Sequence, residues 1–495
     1  MGIFFLVYAY FVCNFLFGNH DWWMILTSVP WDAKTYQSRP FAFLPLQMVQ
    51  GFYLPVLTPF LSLLAYFAAG LVFLTLVPAS RDLRGTSFVL VLLLFALSPT
   101  LLGRLYYEGA GIGENVALCC FLLGASFCVH DRGRISFLPA IALFLFSLGV
   151  NQCIINTFWT LLLIQLLSAP PTAGKTQFFR YGGAFAVSLV IYLILIKFVL
   201  PTRPIYNNQI AGAGAFLNNI LPQLKASVAY FWQTQPPMDR MFKALFALIC
   251  LGGFGCLLAR PKYAEGWRPL PCLRVPGAGF ALRLLLIAAL VLTNNVSAYV
   301  SGHEGANTFK LRMDYYSMPF ILSFCATVVL QAPGLVGRLF KAAAALLVIL
   351  CMGGDVRALQ VWKMTIDDDI LYANRMLARI EASPAFAADR PWRVLALGHR
   401  PTFGNRFWSG YDRFSLELQR PQHLKENFVD VFNVIAPNLN LAPYGGDNAK
   451  LCATQRDFLE AAPAWPSPDS LRVLGEEGVI LVVLDREAAR RYCAR

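Results

Sequence analysis

The residues best suited to chemistry lie in one loop, residues 19–51, between the first two strongly apolar segments of the chain. This loop is rich in aromatic residues and carries Asp21, Asp32, Lys34 and Arg39. Charged side chains beside hydrocarbon are costly unless they are paired or face a water-filled cavity, so the loop is a candidate functional site. A carboxylate such as Asp21 can deprotonate a hydroxyl group, and a guanidinium such as Arg39 can bind phosphate oxygens through two hydrogen bonds.

The composition places this loop in a membrane protein. The chain has 495 residues, of which 57% are hydrophobic and 14% charged, and its mean hydropathy is +0.54. Its apolar segments approach the length that crosses a bilayer; they are residues 2–18, 52–77, 86–103, 115–130, 135–150, 154–170, 181–200, 241–259, 281–300, 315–332 and 342–355. The sequence therefore predicts a polytopic α-helical membrane protein with about 11 spans. The first segment is expected to be a retained span, because no basic residue precedes it as in a signal peptide.

The charges between these segments predict an orientation. Residues 1–354 contain 23 Lys and Arg against 10 Asp and Glu, whereas residues 355–495 contain 18 of each. Basic residues concentrate in every second loop, which the positive-inside rule assigns to the cytoplasm, and most acids lie in the opposite loops. We expect a cytoplasmic N-terminus and an extracytoplasmic C-terminus. Nucleic acid is not an expected partner, because the basic excess belongs entirely to the membrane portion.

The C-terminal part of the chain combines mixed charge, turn residues and short apolar runs, which is typical of a soluble domain. We expect residues 1–355 to form the membrane domain and residues 356–495 a small α+β extracytoplasmic domain. Short strands are predicted at residues 392–397 and 479–484. Thr365, which precedes three consecutive acids, predicts a helix that starts there.

Cysteine usage is in accord with this division. Ten of the twelve cysteines lie in or near apolar segments, where an isolated cysteine behaves as a small hydrophobic residue. The other two, Cys452 and Cys493, either form a disulfide, as an oxidising compartment allows, or remain buried thiols. The chain has five His and no clustered His and Cys spacing, so no metal cofactor is expected. No nucleotide cofactor is expected either, because the Gly-Lys-Thr at residues 174–176 lacks the first glycine of a P-loop.

Further polar residues that are candidate substrate ligands lie in the loops that contain most of the acids. Glu108 and Glu114 flank the glycine-rich residues 109–113, which we interpret as a turn. Glu108 is the better substrate ligand, and Glu114 is expected to cap the helix of the fourth span. Gln152 interrupts an apolar stretch, where its amide either contacts a substrate or forms a hydrogen bond between helices.

For each predicted cation and for Asp21, a structural role is the alternative to a functional one. Lys310 and Arg312 precede the tenth span and are either phosphate ligands or interfacial anchors whose charged ends reach water. The same alternative applies to Arg39, for which phosphate binding is favoured. Asp21 is either a general base or the cap of a turn beside two interfacial tryptophans.

Several fragments carry a resemblance to a known family. They are HDWWMI and YQSRPF after the first span, then LYYEGAGIGENVALCCFLLG, SLGVNQCIINTFWTLLLIQLL, FKLRMDYYSMPFIL and PAWPSPDSLRVLGEEGVILVVL. In this order, and spread over nearly the whole chain, they resemble the serotype-converting O-antigen glucosyltransferases of the Gtr type II kind. That family belongs to the GT-C superfamily of multispan glycosyltransferases, which use polyprenyl-phosphate sugars.

The resemblance implies a multi-pass enzyme of the bacterial inner membrane with a periplasmic C-terminal domain. Its donor would be a polyprenyl-phosphate-linked sugar, by resemblance glucose, and its acceptor a polysaccharide or lipid-linked glycan such as the O-antigen of lipopolysaccharide. Asp21 would be the catalytic residue, and the substrate contacts would come from His20, Arg39, Glu108, Gln152, Lys310 and Arg312. The family pattern suggests two adjacent carboxylates after the first span, and here the first position is His20. One carboxylate suffices for a general base.

Two other functions fit the same polar loops. A transporter or flippase of a lipid-linked sugar also needs a polar cavity among many spans. Transporters usually contain internal repeats with paired broken helices, and no such repeat is visible in this sequence, which favours the enzyme. An inactive partner in a polysaccharide assembly complex is the third hypothesis, which the replacement at His20 keeps open.

Overall fold

The computed structural model describes residues 1–14, 16, 40–42, 44–48, 54, 56–105, 108–130, 136–168, 171–199, 222, 240–259, 278–293, 316–398 and 428–493. These residues belong to two compact units: residues 1–14 and the described residues from 40 to 359 form the first, and Leu16 groups with the described residues from 360 onward in the second. The first unit is helical, and the second contains a four-stranded sheet.

The first unit is built from apolar helices. In chain order they are α1 (Gly2–Cys13), α2 (Leu44–Met48), α3 (Leu57–Leu76), α4 (Thr86–Ala96), α5 (Thr100–Leu105), α6 (Glu108–His130), α7 (Phe137–Val150), α8 (Ile154–Ser168), α9 (Pro171–Ile194), α10 (Arg240–Ala259), α11 (Ala278–Leu292) and α12 (Met318–Val329). The next helix, α13 (Gly334–Glu381), begins in the first unit and ends in the second.

Several of these helices are long and apolar enough to cross a membrane. Within the described residues, five candidate spans are present: Leu57–Leu76, Ile112–His130, Phe179–Val199, Arg240–Ala259 and Gly334–Met364. Six further apolar helices have 10–17 residues, fewer than the roughly 20 residues of a typical span. Each predicted apolar segment overlaps one of these helices. The structure thus supports a helical membrane protein, and the count of about 11 spans stays a prediction.

The core of the first unit is centred on α12, in which every residue is buried. This helix packs against α4 and α10. Aromatic rings of Phe73, Phe95 and Phe320 bring α3, α4 and α12 together, with centroid separations of 4.9, 5.1 and 5.8 Å. A helix that is apolar on every side gains most from a fully buried position.

Helix α6 packs between α3 and α7, and its first turns are rich in glycine. The turn predicted at residues 109–113 is wrong, because these residues lie inside α6. Glycine is disfavoured in helices, but it lets another element approach the backbone closely. Gly113 shows this use, since a Cβ atom there would lie 2.5 Å from the carbonyl oxygen of Ala42.

The helix start predicted at Thr365 is also wrong. Helix α13 runs without interruption from Gly334 to Glu381, and Asp367 forms an ion pair with Lys363 one turn earlier on the same helix. No Gly or Pro stands between Asp355 and Glu381 to end the helix. The acid at 367 therefore belongs to a helix interior, where it makes an i,i+4 pair.

The second unit is organised around a mixed sheet of β1 (Trp392–Leu397), β2 (Leu441–Pro443), β3 (Leu471–Leu474) and β4 (Val479–Val483). The strand order is β2-β1-β4-β3, with β1 parallel to β2 and β4, and β3 antiparallel to β4. All residues of β4 are buried, as in a strand covered on both faces. The strands predicted at residues 392–397 and 479–484 are confirmed.

Besides the end of α13, the described α-helices of this unit are α14 (Phe428–Ile435), α15 (Asn448–Ala461) and α16 (Arg486–Tyr492). Asp447 caps α15 by accepting a hydrogen bond of 2.8 Å from the backbone N–H of Ala449. Cys452 of α15 and Cys493, directly after α16, form a disulfide with a Cα–Cα distance of 5.4 Å. Of the two alternatives that the sequence leaves open for these cysteines, the structure therefore contains the disulfide.

Candidate functional site

Most of the predicted site residues lie outside the described part of the chain. They are His20, Asp21, Arg39, Lys310 and Arg312. The structure does describe residues 40–42, which directly follow Arg39 in the same loop, and residues 316–317, which begin four positions after Arg312. The contacts of these two short stretches show where the predicted loops join the helices.

Residues 40–42 are held against α6 and α7. The backbone N–H of Phe41 donates a hydrogen bond of 3.0 Å to the carbonyl oxygen of Gly149, near the end of α7. Its ring stacks on Phe146, with centroids 6.0 Å apart. A Cβ atom on Gly149 would overlap the ring of Phe41, and one on Gly113 would meet the carbonyl oxygen of Ala42. The two glycines therefore make the space in which the end of the predicted catalytic loop lies.

Tyr316 joins the other predicted segment to the same helix. Its hydroxyl donates a hydrogen bond to Oε2 of Glu114 in α6, across 202 positions of sequence. Its carbonyl oxygen accepts a hydrogen bond of 2.7 Å from Oγ1 of Thr157 in α8. All three residues are buried, with Glu114 only 1% exposed. A buried carboxyl group is expensive unless it is hydrogen-bonded, so this contact strongly favours one placement of Tyr316.

Asn115, the neighbour of Glu114, makes a second polar contact, which joins α6 to α3. Nδ2 of Asn115 donates a hydrogen bond of 2.7 Å to Oγ of Ser62, and both side chains are buried. Glu114 thus connects α6 to Tyr316, which precedes α12, and Asn115 connects α6 to α3. Polar pairs of this kind hold helices together where apolar contacts alone are not directional.

The role expected for Glu114 is wrong. Helix α6 begins at Glu108, so Glu114 lies in the helix interior and does not cap its start. The residues between Glu108 and Glu114 are helical and do not form a turn. Glu108 is the residue at the helix start, a position that favours an acid because of the helix dipole. A substrate contact of Glu108 stays a prediction.

Gln152 lies in the turn between α7 and α8. Its Nε2 donates a hydrogen bond of 2.7 Å to the hydroxyl of Tyr192 in α9. Beside it, Oδ1 of Asn151 accepts a hydrogen bond of 2.9 Å from the backbone N–H of Cys153 and so shapes the turn. The structure therefore contains the hydrogen bond between elements that was one alternative for Gln152. Its role in substrate binding stays a prediction.

Together these contacts bring three chain segments to the first turns of α6. The segments are residues 40–42, residues 149–153 and residues 316–317. We call this group the α6 cluster. Its carboxyl, amide and hydroxyl groups are the kinds that bind sugar hydroxyls. In the described ranges, no group of three or more His, Cys, Asp or Glu side chains is arranged to hold a metal ion.

Sequence reasoning missed the pairing of Glu114 with Tyr316 that holds this cluster together. One signal was available, because Gly109 and Gly113 have the spacing of a small-xxx-small motif, which is typical of helices in close contact. No family model, curated protein or solved structure matches this chain. The family resemblance drawn from the sequence accordingly stays a prediction.

Proposed function

We propose that the protein is a membrane glycosyltransferase that moves a sugar, by resemblance glucose, from a polyprenyl-phosphate donor to a surface polysaccharide such as O-antigen. The observation that supports this proposal best is the α6 cluster. Ala42, three positions after Arg39 in the predicted catalytic loop, packs on Gly113, and Tyr316, four positions after Arg312, is hydrogen-bonded to Glu114. The described residues that follow Arg39 and Arg312 therefore both contact α6, at neighbouring positions, which supports a common site for the two predicted segments.

The chemistry proposed for this site is a single displacement. Asp21 takes the proton of the acceptor hydroxyl, whose oxygen attacks the anomeric carbon while the bond from that carbon to the phosphate oxygen breaks. The polyprenyl phosphate leaves with its charge stabilised by Arg39, and by Lys310 and Arg312 as further cations. Attack opposite the leaving group inverts the anomeric configuration. Glu108, Gln152 and His20 are the proposed contacts to the sugar.

The disulfide supports the proposed location of the second unit. Bonds such as that between Cys452 and Cys493 form and persist in oxidising compartments, of which the bacterial periplasm is one. A periplasmic second unit agrees with the orientation that the positive-inside rule predicts. In that orientation the α6 cluster faces the periplasm, where nucleotide sugars are absent and a lipid-linked donor is required.

A transporter or flippase of a lipid-linked sugar is the second candidate function. Glu114 is the observation that favours it, because a buried acid among membrane helices is also typical of substrate pathways in transporters. The two functions differ in their products. A transferase forms a new glycosidic bond, whereas a flippase only changes the leaflet in which the donor lies.

The test uses the purified protein in liposomes with a synthetic polyprenyl-phosphate glucose and an acceptor glycan. We expect sugar transfer, and we expect Asp21→Asn to lower its rate by about 10²–10⁴-fold while the protein remains folded. Asp82→Asn is the matched control, because Asp82 is exposed and follows α3 in a different loop. Movement of the donor across the bilayer without transfer would establish the transporter instead. If the folded protein does neither, both proposals fail and the inactive assembly partner remains.

A further inference from the structure

Asp355 is an acid that the α6 cluster does not use. It lies in α13, is 0% exposed, and accepts through Oδ2 a hydrogen bond of 2.9 Å from the hydroxyl of Tyr8 in α1. Among the residues that the structure describes, its second oxygen, Oδ1, has no hydrogen-bond partner. Tyr66 of α3 and Cys351, one turn earlier in α13, are near enough to interact with the carboxyl electrostatically. Within the described part of the chain, the buried acid therefore has one hydrogen bond, and that bond comes from the first helix.

The other described contacts of α1 are mainly apolar. Phe4 lies against Phe67, and Phe5 lies against Phe60, with ring centroids 5.3 Å apart in each pair. Aromatic contacts of this kind tolerate small rotations and shifts of a helix, because many arrangements bury similar area. A hydrogen bond to one partner does not, because a shift by one residue rotates a helix by about 100° and moves it by about 1.5 Å. After such a shift the carboxyl of Asp355 would have no partner at all.

We infer that Tyr8 and Asp355 are positioning residues, which fix the register of α1 and thereby the point from which the predicted catalytic loop begins. Helix α1 ends at Cys13, and the loop that contains Asp21 follows it in the chain. The consequence for sugar transfer rests on the proposed function, whereas the register of α1 does not. A positioning role needs only one acceptor oxygen, and Oδ2 provides it. Asparagine at position 355 keeps an oxygen that can accept from Tyr8, so it should preserve the register of α1.

The register can be measured without any substrate. In a Cys13→Ser background, Phe5→Cys and Phe60→Cys place two thiols where the rings now touch, and the rate of oxidative crosslinking reports their approach. We expect Asp355→Asn to leave this rate within twofold, because its side-chain oxygen still accepts from Tyr8. We expect Tyr8→Phe combined with Asp355→Leu to lower the rate at least fivefold. This double variant removes both partners of the hydrogen bond, so neither is left unpaired, and we expect the protein to remain folded. Tyr181→Phe is the control, because it removes a buried tyrosine hydroxyl that bonds to Phe158 instead.

Transfer assays on the same variants separate positioning from chemistry. The double variant should lower kcat by about tenfold with the KM for the donor within twofold, and Asp355→Asn should match the wild type in both constants. An unchanged crosslinking rate in the double variant overturns the inference. Loss of transfer in Asp355→Asn with a normal crosslinking rate overturns it too, because the carboxyl would then act in the chemistry. If the wild type transfers no sugar, the proposed function fails, and the crosslinking rates still decide the register.

Discussion

A single methyl group at Gly113 tests whether the α6 cluster is the functional site. Gly113 is buried in α6, and a Cβ atom there would lie 2.5 Å from the carbonyl oxygen of Ala42 and 3.5 Å from a side-chain carbon of Val150. Contacts between carbon and oxygen normally lie at about 3.3–3.6 Å. Gly113→Ala must therefore push the backbone at Ala42 away by about 1 Å, because a backbone atom cannot rotate aside as a side chain can.

The expected effects on stability and on activity differ in size. Alanine gains about 1 kcal/mol over glycine in a helix interior, whereas overpacking costs about 1–3 kcal/mol, so the net loss of stability is about 0–2 kcal/mol. Residues 40–42 directly follow Arg39. A displacement of about 1 Å in a catalytic arrangement lowers rates by about 10²-fold. We therefore expect Gly113→Ala to lower sugar transfer far more than it lowers the melting temperature.

The assay compares thermal unfolding in detergent with sugar transfer in liposomes for two alanine variants. Gly255→Ala is the matched control, because Gly255 is an exposed glycine of α10 whose added Cβ would meet nothing within 4 Å. We expect this variant to keep the wild-type rate and to be as stable as the wild type or slightly more so. Wild-type transfer by a folded Gly113→Ala protein would refute the reasoning, because the end of the loop could then move without consequence.

Two further predictions concern stability. Tyr316→Phe removes the hydroxyl that donates to Glu114, and we expect the free energy of unfolding to fall by about 1–3 kcal/mol because a buried carboxyl loses a partner. The additional change Glu114→Leu should recover part of this loss in denaturant titrations, and a full additive loss would contradict the pairing. Cys452→Ser with Cys493→Ser opens a loop of 41 residues, which predicts a loss of about 4 kcal/mol for the second unit. Reduced wild-type protein should show the same loss of protease resistance, and equal resistance before and after reduction would exclude this contribution.

The elements that the sequence predicted well are those set by local pattern. Apolar segments of adequate length became helices, and the valine-rich run at residues 479–483 became a buried strand. The errors occurred where a local signal had two meanings. The acids after Thr365 resemble a helix start, but they lie within α13 because nothing in the preceding chain ends that helix. The glycines before Glu114 resemble a turn, but they lie inside α6, where Gly113 packs closely against Ala42.

The partner of Glu114 was beyond local pattern altogether. Tyr316 is 202 positions away, and nothing in the composition of either segment selects one tyrosine over its neighbour at position 315. The same holds for Tyr8 and Asp355, which are separated by 347 positions. Such pairs depend on the rotation of helices about their axes, which apolar sequences of nearly uniform hydrophobicity leave undetermined.

The alternation of loops that the charges predict limits which segments can meet, and the following contacts each join segments of one predicted set. Consecutive spans end at alternating sides, so every second loop shares a side with the others of its set. In the basic set, Gln331 donates to the carbonyl oxygen of Ala79, and Arg180 donates to Oγ of Ser136 at 2.8 Å. In the acidic set, Glu114 contacts Tyr316, and residues 41–42 of the loop that contains Asp21 pack on Gly149 and Gly113. The charges of the loops thus predict which segments can build a common site, whereas helix rotation decides which of their residues touch.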